Sequence, residues 1–94
     1  MKVFWSEASI RHLKEIFKFT EPESASGAVA VRRRILKTAW RVGQMPYSGR
    51  IGRAEGTREA VVPKSPYIVV YQISAHAIEI IGIWHAARQW PESF

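Results

Sequence analysis

The strongest constraint on this chain is a β-rich stretch from Gly56 to Arg88, GTREAVVPKSPYIVVYQISAHAIEIIGIWHAAR. Three runs in it have strand composition. Thr57 to Val62 is broken by Pro63 and Pro66, Tyr67 to Ile73 is rich in β-branched and aromatic residues, and Ile78 to Trp84 is almost continuously apolar. The breaks between them, Lys64-Ser65-Pro66 and Ser74-Ala75-His76-Ala77, are short. A parallel crossover needs a dozen or more residues, so these runs must be antiparallel neighbours. The stretch predicts a three-stranded meander whose last strand is central and well buried. Periodicity alone also fits a buried helix over 78–84, but length and isoleucine content favour a strand.

Upstream the period changes. Lys2 to Trp5 is a short strand candidate, and Ser6 is a good helix N-cap, with Glu7 in the first turn where the helix dipole favours an anion. Ile10, Leu13, Ile16 and Phe17 then recur at spacings of three and four, predicting a helix to about Phe19 with Arg11, Lys14, Glu15 and Lys18 facing water. Pro22 stops it, and Ser24 or Ser26 can cap the next helix. Ala28, Val31, Ile35, Ala39 and Val42 carry that helix to about Gln44, where Gly43 and Pro46 close it. The brief connection predicts an antiparallel hairpin. Met45 to Gly56, MPYSGRIGRAEG, lacks periodicity and reads as an irregular surface loop. The predicted fold is α+β with element order β-α-α-β-β-β, an N-terminal helical hairpin packed on one face of a small, mostly antiparallel twisted sheet. The other sheet face should be partly open.

Ninety-four residues make one domain, 1–94, with one core. The absence of Cys excludes a disulfide scaffold and thiolate metal sites, and His12, His76 and His85 have no ligand spacing, so neither metal nor cofactor is expected. The N-terminus has no apolar signal-peptide core, and the 78–84 run is too short to span a bilayer and carries Glu79. A soluble cytoplasmic protein without a membrane partner is expected. A net charge of +6 favours anionic partners.

Three groups of side chains stand out. Arg34, Lys37 and Arg41 share one face of the second helix, beside Arg32 and Arg33, as an anion-binding face or a landing site for an acidic segment. A solvated outer face with snorkelling stems is the ordinary alternative. Arg50, Arg53 and Arg58 flank the glycine-rich loop, a setting suited to phosphate or other anion contact, although no Walker or Rossmann pattern is present. Glu55 and Glu59 between them carry no assigned role, and Arg58 can pair with Glu59 or another neighbour. His85 and Arg88 follow the last strand and would suit acid–base cleavage of RNA, but no second base or nucleophile accompanies them. Glu79, mid-strand, is a candidate for burial with a partner. Trp84 and Trp90 read as core and tail packing ahead of base stacking.

The pieces in order, an N-terminal strand with Trp5, two helices, MPYSGR, GTREAVV, PYIVVYQI and IWHAARQW, resemble the toxins of the RelE/ParE superfamily over nearly the whole chain. The resemblance implies two helices on a twisted antiparallel sheet, and a cognate antitoxin whose segment folds as it wraps the toxin. It also implies that operator DNA is bound only through that complex. RelE-like members cut messenger RNA on the ribosome; ParE-like members share the fold and poison DNA gyrase without a recognised nuclease site. Where RelE-like nucleases carry strand lysines this chain has Glu59 and Val61, and where they carry a strand arginine it has Ile68. Their C-terminal tyrosine has no counterpart, since the tail ends in Phe94, whereas Arg88 matches the arginine they place after the last strand and His85 is similar to the histidine of other nuclease branches. The missing cations favour a ParE-like gyrase poison. A RelE-like ribosome-dependent endoribonuclease is the alternative, with Arg58, His85 and Arg88 as its catalytic candidates. On either reading Arg34, Lys37 and Arg41 are the expected antitoxin contacts, and Arg50, Arg53 and Trp90 are the expected target contacts.

Overall fold

A computed structural model describes residues 1–88. The elements are β1 (Lys2–Trp5), α1 (Glu7–Thr20), α2 (Ala25–Gln44), a 3-10 turn (Pro46–Ser48), β2 (Arg50–Ile51), β3 (Arg58–Val61), β4 (Tyr67–Ile73) and β5 (Ala77–His85). The strands form one sheet in the order β1-β5-β4-β3-β2. All pairs are antiparallel except β1 with β5, which run parallel from Lys2↔Ala77 to Trp5↔Ile80. The α+β order expected from the pattern is the observed one, and β5 is an interior strand held between β1 and β4. No helix among the described residues is long and apolar enough to cross a membrane.

The apolar run in β5 has a geometric cause. Val70 is level with Gly82 and Tyr71 with Ile80, so Ile81 is an extra residue at a β-bulge. The bulge reverses which parity faces the helices. Ile78 and Ile80 lie in the core before it and Ile83 after it, opposite Ile73, Tyr71 and Val69. Ile35, Ala39 and Val42 of α2 complete that core with Ala60 and Val62.

Helix α1 divides its apolar stripe. Leu13 and Ile16 pack against the core, while Ile10 and Phe17 line an outer cleft toward α2 with Leu13, Lys14 and Arg32. Ser6 caps α1 by accepting from the Ser9 amide at 3.1 Å, and its own amide donates to the Ile80 carbonyl at 2.9 Å. One residue thus starts the helix and fastens it to β5. Ser24 caps α2 through the Gly27 amide at 2.9 Å.

Two expectations need correction. The 45–56 segment is not irregular throughout, because it contains the 3-10 turn and β2, a two-residue strand whose short register (Arg50↔Glu59, Ile51↔Arg58) leaves too little alternation to detect. Glu79 is exposed, not buried with a partner, since it points to the sheet face opposite the helices.

Ser6→Ala is expected to lower unfolding stability by about 1 kcal/mol, the usual cost of a lost N-cap. Urea titration checks this, and an unchanged midpoint would contradict the capping role.

Candidate functional site

The three arginines around the loop are held by buried groups, and those groups come from β3 and β4. Glu59 on β3 has a side chain only 1% exposed. Its Oε1 accepts from Arg50 Nε at 3.0 Å and lies 2.9 Å from Arg50 Nη2 as an ion pair, and its Oε2 accepts from the Arg53 amide at 2.8 Å. Hydrogen bonds to a charged group contribute roughly 1.5–3 kcal/mol each. Arg50 is itself half in water, so part of that strength is screened. Tyr71 on β4 is fully buried, and its hydroxyl donates to the Pro46 carbonyl at 2.7 Å and accepts from the Gly49 amide at 3.1 Å. Burial raises the Tyr71 phenol above its ordinary pKa, opposed by the smaller effects of the Gly49 amide and Arg58. A Cβ at Gly49 would collide with that hydroxyl, so the close approach requires glycine here.

Arg58 does not pair with Glu59. Its Nη1 donates to the carbonyls of Gly49 at 2.7 Å and Tyr47 at 3.4 Å, and its guanidinium lies 5.0 Å from the centre of the Tyr47 ring. The alternation of β3 explains the split, because residues 58 and 59 point to opposite sheet faces.

On α2, Thr38, Ala39, Ile35 and Val42 face inward, with Lys37 exposed and Arg34 and Arg41 half-buried along one flank. On the neighbouring stripe the exposed Leu36 and Trp40 line a cleft with Val3 and Trp5 of β1. Arg41 also lines a cleft of about 410 Å³ with Ser48, Gly49, Arg50, Glu59 and Val61, so the helix stripe and the loop arginines adjoin. That junction is invisible in the sequence.

His85 and Arg88 sit at the other end of β5. They line a cleft of about 400 Å³ with His12, Glu15, Phe19, Tyr67 and Trp84. The His85 Nδ1 accepts from the Ala87 amide at 3.1 Å, and its ring meets Tyr67 edge-on at 5.6 Å. Arg58 is not part of this group. It is level with Tyr71 on β4 whereas His85 is level with Tyr67. Four residues of strand, roughly 13 Å, and two strand spacings of about 4.8 Å therefore separate their backbones. Trp90 lies outside the described residues.

His12 has a role that its helical position did not reveal. Beyond Trp5 the β1 edge of β5 has no strand partner among the described residues, and the Ile83 amide donates to His12 Nδ1 at 3.1 Å. That acceptor exists only while Nδ1 is unprotonated. Burial pushes the imidazole below its ordinary value of 6.5, with smaller opposing and reinforcing effects from Glu15 and Arg11. A histidine ring spaced to reach a strand edge carries no local signal, because the partners are 71 residues apart.

Fold and surface together define a class: a small basic α+β domain whose cations lie on exposed faces and at a pinned loop. A family model described as the ParE toxin of the type II toxin-antitoxin system, parDE, matches residues 3–90. A Sinorhizobium fredii protein named "Putative toxin Y4kP" is 36% identical over 91 residues, covering 97% of this chain and 94% of that protein. Among solved structures, one titled as a chromosomal ParDE TA system from P. aeruginosa superposes with a TM-score of 0.84 at 17% identity, covering 90% of this chain and 95% of that one. Another, titled as a YoeB/ParE toxin from Agrobacterium tumefaciens, gives a TM-score of 0.59 at 17% identity over 90% of this chain and 98% of that one. At such identity the two structures speak to the fold alone. The chain belongs to the ParE toxin family of type II toxin–antitoxin systems, within the RelE/ParE superfamily.

The His12 contact predicts a pH dependence. A depressed folded-state pKa means the unfolded chain binds more protons, so the contribution is complete above about pH 6.5 and is lost as pH falls through the folded value. Thermal melts from pH 8 to pH 5 should show midpoints falling below that point, with a smaller fall in His12→Gln. Equal slopes in the two proteins would contradict the assignment.

Proposed function

We propose that this chain is the toxin of a ParE-type module, arresting growth in the cytoplasm by poisoning DNA gyrase and silenced by a cognate antitoxin. Family membership supports the toxin role and implies the antitoxin partner. The observation that carries the choice of target is the separation of the cleavage candidates. Arg58 is committed to two loop carbonyls, far along the sheet from His85 and Arg88. Phosphodiester cleavage needs its charged groups within hydrogen-bond reach of one phosphate. A toxin acting by binding has no such requirement, and needs neither metal nor cofactor.

The antitoxin reading rests on α2. Arg34, Lys37 and Arg41 offer positive charge along one stripe of α2, Leu36 and Trp40 offer an apolar cleft on another, and the α1–α2 cleft adds Ile10 and Phe17. An acidic, amphipathic segment that folds on binding matches such a surface. Operator DNA would then be reached only through the complex.

Two measurements test this. The purified chain should inhibit gyrase supercoiling, with His85→Ala equally active; an inert wild-type chain would count against gyrase. Reversing Arg34, Lys37 and Arg41 to Glu together should weaken antitoxin binding by at least about 30-fold, equivalent to some 2 kcal/mol. Binding unaffected by the triple reversal would remove the antitoxin from this face.

A further inference from the structure

The 45–56 loop is fixed at more points than its exposure requires. The Tyr71 hydroxyl holds Pro46 and Gly49, Glu59 holds Arg50 and Arg53, and Arg58 holds Tyr47 and Gly49. Thr57 closes the far end, its hydroxyl donating to the Ala54 carbonyl and its own carbonyl accepting from the Gly52 amide at 2.8 Å. Stability is a poor explanation for this arrangement, because apolar side chains of similar volume often replace a buried ion pair at no loss. What buried polar groups do supply is a single geometry for the backbone they bind.

What the fixed loop displays is apolar. Ile51 is 80% exposed, the most exposed large hydrophobic side chain among the described residues, and Tyr47 is 69% exposed. Ile51 stands on β2, the edge strand, where an uncovered isoleucine invites association, and Tyr47 on the 3-10 turn just before it. Arg50 points to the sheet face opposite Ile51, and its side chain and that of Arg53 are about half exposed and partly balanced by Glu59. Aromatic, aliphatic and arginine groups on a rigid support are the composition of a protein-binding hot spot, and rigidity lowers the ordering cost of binding. The denser, less balanced cations of α2 suit an acidic segment better, which leaves the loop for a different protein.

We propose that this loop is a preorganised docking epitope for the toxin's cellular target, with Tyr47 and Ile51 as anchors and Tyr71 and Glu59 as the positioning residues behind it. The target surface it fits is a protein patch with an apolar socket for Tyr47 and Ile51 and, beyond the β2 edge, carboxylates that the half-exposed Arg50 and Arg53 engage from the other side of that edge. The proposal rests on the toxin reading above and adds the face through which the toxin acts.

The test uses the full chain, induced without antitoxin for growth arrest and co-purified with antitoxin for binding. Ile51→Glu changes only an exposed side chain, so its melting midpoint should match wild type. It is expected to raise survival of induced cells by at least about 30-fold, the effect of losing a hot spot. Antitoxin affinity should stay within about threefold, as for a surface change outside that interface. Tyr71→Phe keeps the buried ring and should speed amide exchange at Gly49 by at least about tenfold, with weakened arrest and unchanged antitoxin affinity. Arrest by Ile51→Glu equal to wild type overturns the epitope while leaving the toxin reading intact. Loss of antitoxin binding along with arrest assigns the loop to the antitoxin and also overturns it. Faster exchange in Tyr71→Phe with undiminished arrest refutes the positioning role. A wild-type chain that arrests nothing removes the proposal and the toxin reading together.

Discussion

The parallel pairing of β1 with β5 is the contact on which the rest of the structure depends. It joins residues some 75 positions apart and places the first strand beside the last, making β5 an interior strand. Ser6 then leaves the sheet with its amide on Ile80 and its hydroxyl capping α1. The helix direction is thereby set, and α1 runs along the part of β5 that β1 is too short to cover. His12 takes over the unpaired edge there by accepting from Ile83. Loop-closure entropy opposes such distant contacts, so they must be repaid by the apolar area that the hairpin buries on the sheet.

A second group of interactions spends polar burial on loop geometry. Glu59 and Tyr71 are both buried, and each directs its polar atoms at the segment between α2 and β3. Exposed anchors at Tyr47 and Ile51 are held on that frame, next to the basic face of α2 through Arg41. The molecule therefore presents two adjoining surfaces of different chemistry, one rich in cations and one apolar with balanced arginines. We propose that the first takes the antitoxin and the second the target.

Much of the fold was legible because local periodicity and turn chemistry agree. The stripe in α1, the caps at Ser6 and Ser24, and the β4 boundaries at Tyr67 and Ile73 were all readable from spacing. The β5 run looked helix-compatible because the bulge at Ile81 breaks its alternation, and no residue pattern marks a bulge in an all-apolar stretch. β2 was missed because two residues cannot show a period. The site was less legible. Arg34, Lys37 and Arg41 share a face as helical spacing requires. The anchoring of the loop depends on Tyr71 and Glu59, which sequence alone presents as an ordinary core aromatic and a charge beside an arginine. Glu79 and Glu59 occupy the same sheet face, opposite the helices, yet one is exposed and the other buried, because Arg50 and the Arg53 amide cover Glu59 while nothing comparable covers Glu79 among the described residues.

The central claim is that the chain acts on DNA metabolism by binding, with no nuclease chemistry. Pulse-labelling after brief induction without antitoxin tests it most directly, following thymidine and amino-acid incorporation separately. Thymidine incorporation should fall first while protein synthesis continues. Protein synthesis stopping within minutes, with DNA synthesis sustained, would contradict the claim and turn attention to His85 and Arg88.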